Sequence, residues 1–275
     1  MAGGKARRRP DRPGVGRQTA TVAQQAPAAP VSVARDLTVR DLRRALAAGW
    51  QDFWAHPQFG LFFAAIYAGA GLFLGYTLFE QGRPAWLIPA AAGFPLLAPF
   101  TAVGLYEVSR RREAGLPISW RAVLGAMRGH GDDQLLMMGG FLFVGFTFWI
   151  IIAHTIFAIF LAESGIGSES LALFQTQSGV MMLVVGSAVG ALISLVFYAI
   201  TVVSLPLLVD RNVDFLTAIF VSVRSVSANR AVLLGWAAFI ATAVFVAMVP
   251  IFLGLLVVLP VLGHATWHLY RRAVV

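Results

Sequence analysis

Residues 135–161 read LLMMGGFLFVGFTFWIIIAHTIFAIFL and contain no Asp, Glu, Lys or Arg. An α-helix rises 1.5 Å per residue, so about 20 apolar residues cross a hydrocarbon core roughly 30 Å thick. The stretch exceeds that length and reads as a membrane-spanning helix. Its one ionisable side chain is His154.

Five further runs of the same kind flank it. LFFAAIYAGAGLFLGYTLF (61–79) and LIPAAAGFPLLAPFTAVGLY (87–106) precede it, and Gly179–Val209 follows. The last apolar stretch, Ala231–Tyr270, is twice the crossing length, and MVPIFLG (248–254) supplies a Pro and a Gly for a tight hairpin within it. The third and fourth runs are long enough to tilt or protrude. With 58% hydrophobic and 12% charged residues and a mean hydropathy of +0.76, the composition is that of a membrane protein. The expected fold is all-α and polytopic, with six transmembrane helices over residues 38–275.

Charge sets the orientation. Of 21 Lys and Arg residues, all but Arg83 fall before the first run, between the second and third, between the fourth and fifth, or after the sixth. Positive residues concentrate on the cytoplasmic side, so both termini are expected there and the Glu163–Gln177 loop, with two acids and no base, outside. Residues 1–37 read as a disordered basic tail, rich in Pro, Ala, Gly and Gln. The start MAGGKARRRPDRPGVGRQ resembles a signal peptide in charge only, because no apolar region follows before residue 59. An organellar transit peptide is the minor alternative. The net charge of +8 suits anionic headgroups, each Lys or Arg near that surface contributing on the order of 1 kcal/mol. Nucleic-acid binding is disfavoured for lack of any motif or interleaved aromatic residues. Without cysteine, disulfides, thiolate metal sites and cysteine nucleophiles are excluded.

A short amphipathic segment precedes each odd-numbered run. Val39, Leu42, Leu46, Trp50 and Phe53 keep helical spacing, with Thr38 and Asp41 placed to cap the start. Trp120, Val123, Leu124 and Met127 repeat the scheme, as do Phe215, Leu216, Ile219, Phe220 and Val223. Such helices are expected in the headgroup layer with their apolar faces down. The chain thus divides into three tandem units, 38–108, 117–210 and 212–272. In the register of the first and last units, PFTAVGLYEVSRR matches PVLGHATWHLYRR, pairing Glu107 with His268; the middle unit departs, its Pro206 standing five residues before Arg211. Pro89, Pro95 and Pro99 crowd the second run. Broken helices can mark transport sites, but kinks accommodated by neighbouring helices are the favoured account. Gly71 with Gly75, and Gly186, Gly190 and Ser194, set small residues where helices can approach closely.

The candidate chemistry lies at the C-terminal end. His264, Trp267, His268 and Arg271 share one helix face, and two imidazoles four residues apart can chelate an ion. A third ligand would have to come from elsewhere, and Glu107 is the candidate. The metalloprotease pattern is absent, since Ala265 stands where its glutamate belongs. An interfacial belt of aromatic and basic residues, or a buried hydrogen-bonded pair, explains the same residues without a metal, as Arg110 and Arg111 explain Glu107. His154 and His264 belong to opposite halves of the membrane, so one site holding both is not expected; a neutral His154 bonded to a helix carbonyl is favoured over a proton relay. Arg43, Arg44, Arg110, Arg111, Arg112, Arg271 and Arg272 are expected to face lipid headgroups from the cytoplasm. No convincing Ser, His and acid set or phosphate loop appears, so an enzyme is disfavoured and no cofactor is implied.

The segments RRALAAGWQDFWAHPQFGLFFAAIY (43–67), AVGLYEVSRRREAGLPISW (102–120), ITVVSLPLLVDRNVDFLTAI (200–219) and VLPVLGHATWHLYRR (258–272) resemble a bacterial family of predicted integral membrane proteins of unknown function, with GHATWHLYR as its most specific mark. The resemblance implies a bacterial cytoplasmic membrane and supplies no activity. The expected function is that of a non-enzymatic membrane scaffold or interaction protein, whose partners are the anionic bilayer and another membrane protein or itself. A small-solute transporter or channel is the alternative, and a metal- or haem-binding membrane protein a weaker one.

Overall fold

A computed structural model of the protein describes residues 31–82, 98–126, 133–163 and 171–275. Residues 1–30, Arg83, Pro89, Pro95, Met127 and residues 164–170 of the Glu163–Gln177 loop lie outside the described residues. Among those described the helices are α1 (Val39–Ala55), α2 (Pro57–Glu80), α3 (Ala98–Glu113), α4 (Trp120–Gly125), α5 (Gln134–Glu163), α6 (Gln177–Thr201), α7 (Ser204–Asp210), α8 (Phe215–Ala228), α9 (Arg230–Met248) and α10 (Leu255–Ala273). There are no named strands among these residues; a single antiparallel bridge joins Val33 to Val274.

Four helical segments are long and apolar enough to cross a membrane: Pro57–Glu80, Gln134–Phe160, Gln177–Asp210 and Arg230–Met248. The expected second run enters the described residues only at α3, and the sixth becomes α10, whose C-terminal half is too polar to count by composition.

Local rules account for the helix ends. The Thr38 N–H donates to Asp41 Oδ2 at 2.8 Å, as the sequence spacing anticipates, and the Thr217 N–H donates to Asp214 Oδ1 at 2.8 Å at the start of α8. Pro206 has no N–H to give Val202, and the run breaks between α6 and α7. Ser222 enters the opening: the Val203 N–H donates to its Oγ at 3.1 Å, and its hydroxyl donates to the Ala199 carbonyl at 2.7 Å. A side chain inserted between an N–H and its i−4 carbonyl is a recognised cause of a kink. The hairpin between α9 and α10 turns through Ile251 and Phe252 at φ 52° and 63°, and Gly254 lies where a Cβ would come within 2.7 Å of the Ala247 carbonyl oxygen.

The centre of the molecule is α10, packed by α1 along most of its length and also by α2, α3, α7 and α9. Its residues from Pro260 to Trp267 are all buried. The stretch that reads as an interfacial belt or a buried hydrogen-bonded pair is therefore the core of the fold.

The amphipathic helices turn a face rich in small residues inward and leave large apolar side chains outside. α1 buries Ala45, Gly49, Asp52 and Phe53 and leaves Val39 and Trp50 outside; α8 buries Ala218, Val221, Ser222, Ser225 and Val226 and leaves Leu216, Phe220 and Val223 outside. Lipid tails are as apolar as Leu, so nothing drives large apolar side chains inward; small residues let backbones meet. Residues 31–37, grouped by composition with the basic tail, pack against the helical body. Asn229 explains why: its carboxamide accepts from the Leu37 N–H at 3.1 Å and donates to the Ala34 carbonyl at 2.7 Å, while Leu37 is buried.

Candidate functional site: a buried carboxylate at the helix junction

Three helices bring polar side chains to one point. Asp52 comes from the small face of α1, Ser109 and Arg112 from α3, and His264 and His268 from successive turns of α10. Asp52 Oδ2 accepts from Ser109 Oγ at 2.5 Å and from His268 Nε2 at 2.8 Å, and Arg112 binds Oδ1. Ser109 Oγ also lies 2.7 Å from His264 Nδ1. Asp52 and Ser109 are each 1% exposed and His264 is 0% exposed.

Proton accounting orders this chain. An ionised carboxylate only accepts, so the single Ser109 hydroxyl proton points at Asp52. Ser109 Oγ is then the acceptor of the His264 Nδ1–H, and in the neutral ring Nε2 carries a lone pair. That Nε2 is buried without a hydrogen-bond partner. Burial alone would raise the Asp52 carboxyl, but the hydrogen bonds from His268 and Ser109 outweigh it and hold it from 3.8 down to about 2.

Apart from Thr266, which donates to the Leu262 carbonyl of its own helix at 2.8 Å, the other polar groups of the C-terminal segment also have partners elsewhere in the chain. The Trp267 indole N–H donates to Glu113 at 3.1 Å, the Tyr270 hydroxyl donates to Asp210 at 2.7 Å, Arg271 pairs with Asp210 and Glu113, and Arg272 with Asp36. The segment holds α1, α3, α7 and the ordered N-terminal stretch at once.

His264 and His268 thus share a site, but Glu107 does not join them. It accepts from Arg110 at 2.7 and 2.8 Å and from Arg111 at 2.6 Å, in a small cavity between α3, α4 and α7. Residues two apart on a helix do not share a face, so Ser109 meets α10 while Glu107 turns away. The candidate third ligand is therefore spent elsewhere, and among the described residues no group of three or more His, Asp or Glu is arranged to hold a metal ion. Of the seven arginines expected at the headgroups, Arg43 and Arg44 stand exposed; Arg110, Arg111, Arg112, Arg271 and Arg272 are in ion pairs with acids of the protein. His154 lies on the exposed side of α5, outside the cluster.

The sequence reading missed Asp52 and Ser109. A signal for Asp52 existed: it continues the small stripe Ala45, Gly49 at helical spacing, the only charged residue on that inner face. Ser109 carried none, because a serine in an apolar helix is ordinarily explained by a bond to its own backbone.

No curated protein and no solved structure matches the chain. A family model matches residues 87–210, a range that reaches Ser109 and Arg112 but neither Asp52 nor the GHATWHLYR segment. With several apolar helices of crossing length, the chain is an integral membrane protein, similar over those residues to the family described as Predicted integral membrane protein (DUF2189).

Proposed function

We propose that the chain crosses a bacterial cytoplasmic membrane six times, in three tandem units and with both termini inside, and acts there without catalysis as a scaffold. The helix order supports the units: in α4–α5–α6 and α8–α9–α10 a shorter helix runs into two longer ones, and in α1–α2–α3 the amphipathic α1 runs into the long apolar α2 and then α3. The distribution of Lys and Arg supports the orientation.

The observation that carries the non-catalytic reading is the sealing of the polar cluster. A serine nucleophile needs a base to take its proton and a substrate within reach. Ser109 keeps its proton and donates a hydrogen bond to the Asp52 carboxylate at 2.5 Å, a weak base held down to about 2, and at 1% exposure it is out of a substrate's reach. The cluster ties α1 to α3 and α10, and leaves Trp50 and Trp54 of α1 and Trp120 of α4 exposed, an aromatic collar suited to headgroups and to a neighbouring membrane protein or a second copy. Transport of a small polar solute has less support, because the large cavity between α3, α5, α6, α9 and α10 carries no charged lining residue among the described residues.

The test is a photo-crosslinking amino acid at Trp54 and at Phe220, activated in intact cells. A scaffold gives one recurrent protein adduct, to a single partner or to itself. Lipid adducts alone at both positions reject the reading.

A further inference from the structure

Arg110 and Arg111 of α3, Arg121 of α4 and Val209 of α7 line the cavity that holds Glu107, about 300 Å³ in volume. That is the lower bound of the roughly 300–1,000 Å³ range of small-molecule sites. Arg110 spends Nε and Nη2 on Glu107, and Arg111 spends Nε on Glu107 and Nη1 on the Pro117 carbonyl. The N–H groups of Arg110 Nη1 and Arg111 Nη2 stay open, and the exposed Arg121 has neither a hydrogen bond nor an ion pair among the described residues. Asp210, the next acid near Arg110, is held by Tyr270 and Arg271. Three guanidinium groups against one carboxylate leave two positive charges uncompensated in one cavity.

The level of this cavity in the fold is that of a membrane face. α3 and α7 end beside it, at Glu113 and Asp210, and Arg271 near the end of α10 pairs with both acids. Charged side chains gathered at helix ends mark where apolar segments leave the hydrocarbon. Trp120, next to Arg121, rests on Phe59 and Phe62 of the crossing-length helix α2, with ring centroids 4.4 and 5.1 Å apart. Trp120 and Leu124 form the stripe of α4 beside that of Arg121 and Gly125, and both are exposed, as is Leu116 before the helix. The basic cavity therefore has an apolar margin.

We propose that this cavity binds the phosphate of an anionic membrane lipid, whose oxygens accept from Arg121 and from the open N–H groups of Arg110 and Arg111 while its acyl chains lie along Trp120 and Leu124. A guanidinium meets phosphate with two parallel hydrogen bonds. Basic cavities between membrane helices suit such headgroups, and the negative surface of the bilayer supplies them at the same level. Glu107 already holds Arg110 and Arg111 side by side, so less side-chain freedom is lost when the phosphate arrives.

The experiment is native mass spectrometry of the full chain in detergent, titrated with phosphatidylglycerol and, separately, with phosphatidylcholine of the same acyl chains. Expected is one phosphatidylglycerol retained about tenfold more tightly than phosphatidylcholine. Arg121→Gln, which removes a guanidinium without a protein partner, weakens that binding about tenfold. Gly125→Leu keeps every charge but fills the cavity, from a position where an added Cβ meets nothing within 4 Å, and weakens it to a similar degree. Arg43→Gln with Arg44→Gln removes two exposed arginines of α1 and leaves the affinity unchanged. Glycerol phosphate at the lipid's concentration leaves the complex intact. Thermal unfolding of each variant controls for folding, and Arg121→Gln carries the test should Gly125→Leu misfold. Displacement by glycerol phosphate assigns the cavity to a soluble phosphate ester and overturns the lipid. Equal retention of both lipids, an equal loss in the Arg43 and Arg44 variant, or affinity unchanged in either folded cavity variant overturns the site.

Discussion

Gly49 of α1 lies against Ala265 of α10 so closely that a Cβ on Gly49 would stand 2.5 Å from the Ala265 backbone nitrogen and 2.7 Å from the Val261 carbonyl oxygen. The obstacle is backbone, which cannot swing aside as a flexible side chain can. This contact sets the depth of α1 in its groove, and with it the position of Asp52 one turn later.

Gly49→Ala therefore pushes α1 off α10. Overpacking of this kind costs about 1–3 kcal/mol, and the loosened register stretches the Asp52 contacts to Ser109 and His268. The expected outcome is a lower unfolding midpoint in detergent and faster proteolysis near Ala55. Gly69→Ala, where nothing lies within 4 Å of the added carbon, is the control and leaves both unchanged.

Asp52→Asn removes the charge that Arg112 and His268 face. Breaking a buried pair by taking away one partner costs about 3–5 kcal/mol, so this single exchange is expected to rank among the most damaging outside the spans. Denaturant unfolding of the purified protein measures it.

The same carboxyl predicts an acid transition. Its value is held at about 2 in the fold against an ordinary 3.8. A depressed carboxyl stabilises above its unfolded value and loses that contribution as pH falls through the folded one. Stability attributable to Asp52 should be full above about pH 4 and gone near pH 2. The difference between the wild-type and Asp52→Asn midpoints, followed across that window, should shrink toward zero.

Tyr270→Phe deletes the hydroxyl that donates to Asp210 at 2.7 Å and so loosens α7 from α10. A hydrogen bond to a charged group contributes about 1.5–3 kcal/mol; Arg271, 3.2 Å from the same Asp210 oxygen, keeps that carboxylate paired and places the loss at the lower end. Thermal unfolding reads it directly.

Topology is testable without background because the chain has no cysteine. Arg44→Cys is expected to react with a membrane-impermeant maleimide only after cells are opened, and Gln175→Cys in intact cells. The reverse pattern overturns the orientation.

The helical class, the apolar segments and the hairpin at 248–254 were legible because each depends on neighbours in the chain: length, hydropathy, capping residues and turn formers. The GHATWHLYRR segment shows where that legibility ends. Its periodicity correctly puts His264, Trp267, His268 and Arg271 on adjoining turns, and an interfacial belt is the natural reading of such residues. Their partners come from 60 to 236 residues away, and no local pattern carries that information. Glu107 illustrates the same limit from the other side. Repeat register aligned it with His268, yet the rotation of α3 turns Ser109 inward and leaves Glu107 to its own arginines.

That the chain is helical and belongs in a bilayer follows from its residues alone, since nearly charge-free runs of such length have no other low-energy solvent. That the polar C-terminal segment is core rather than rim follows only from how the helices pack. A buried charge is tolerable only where several donors converge on it at once. Those donors are assembled by helix packing, which depends on small residues such as Gly49 meeting a distant backbone and not on the identity of any adjacent residue.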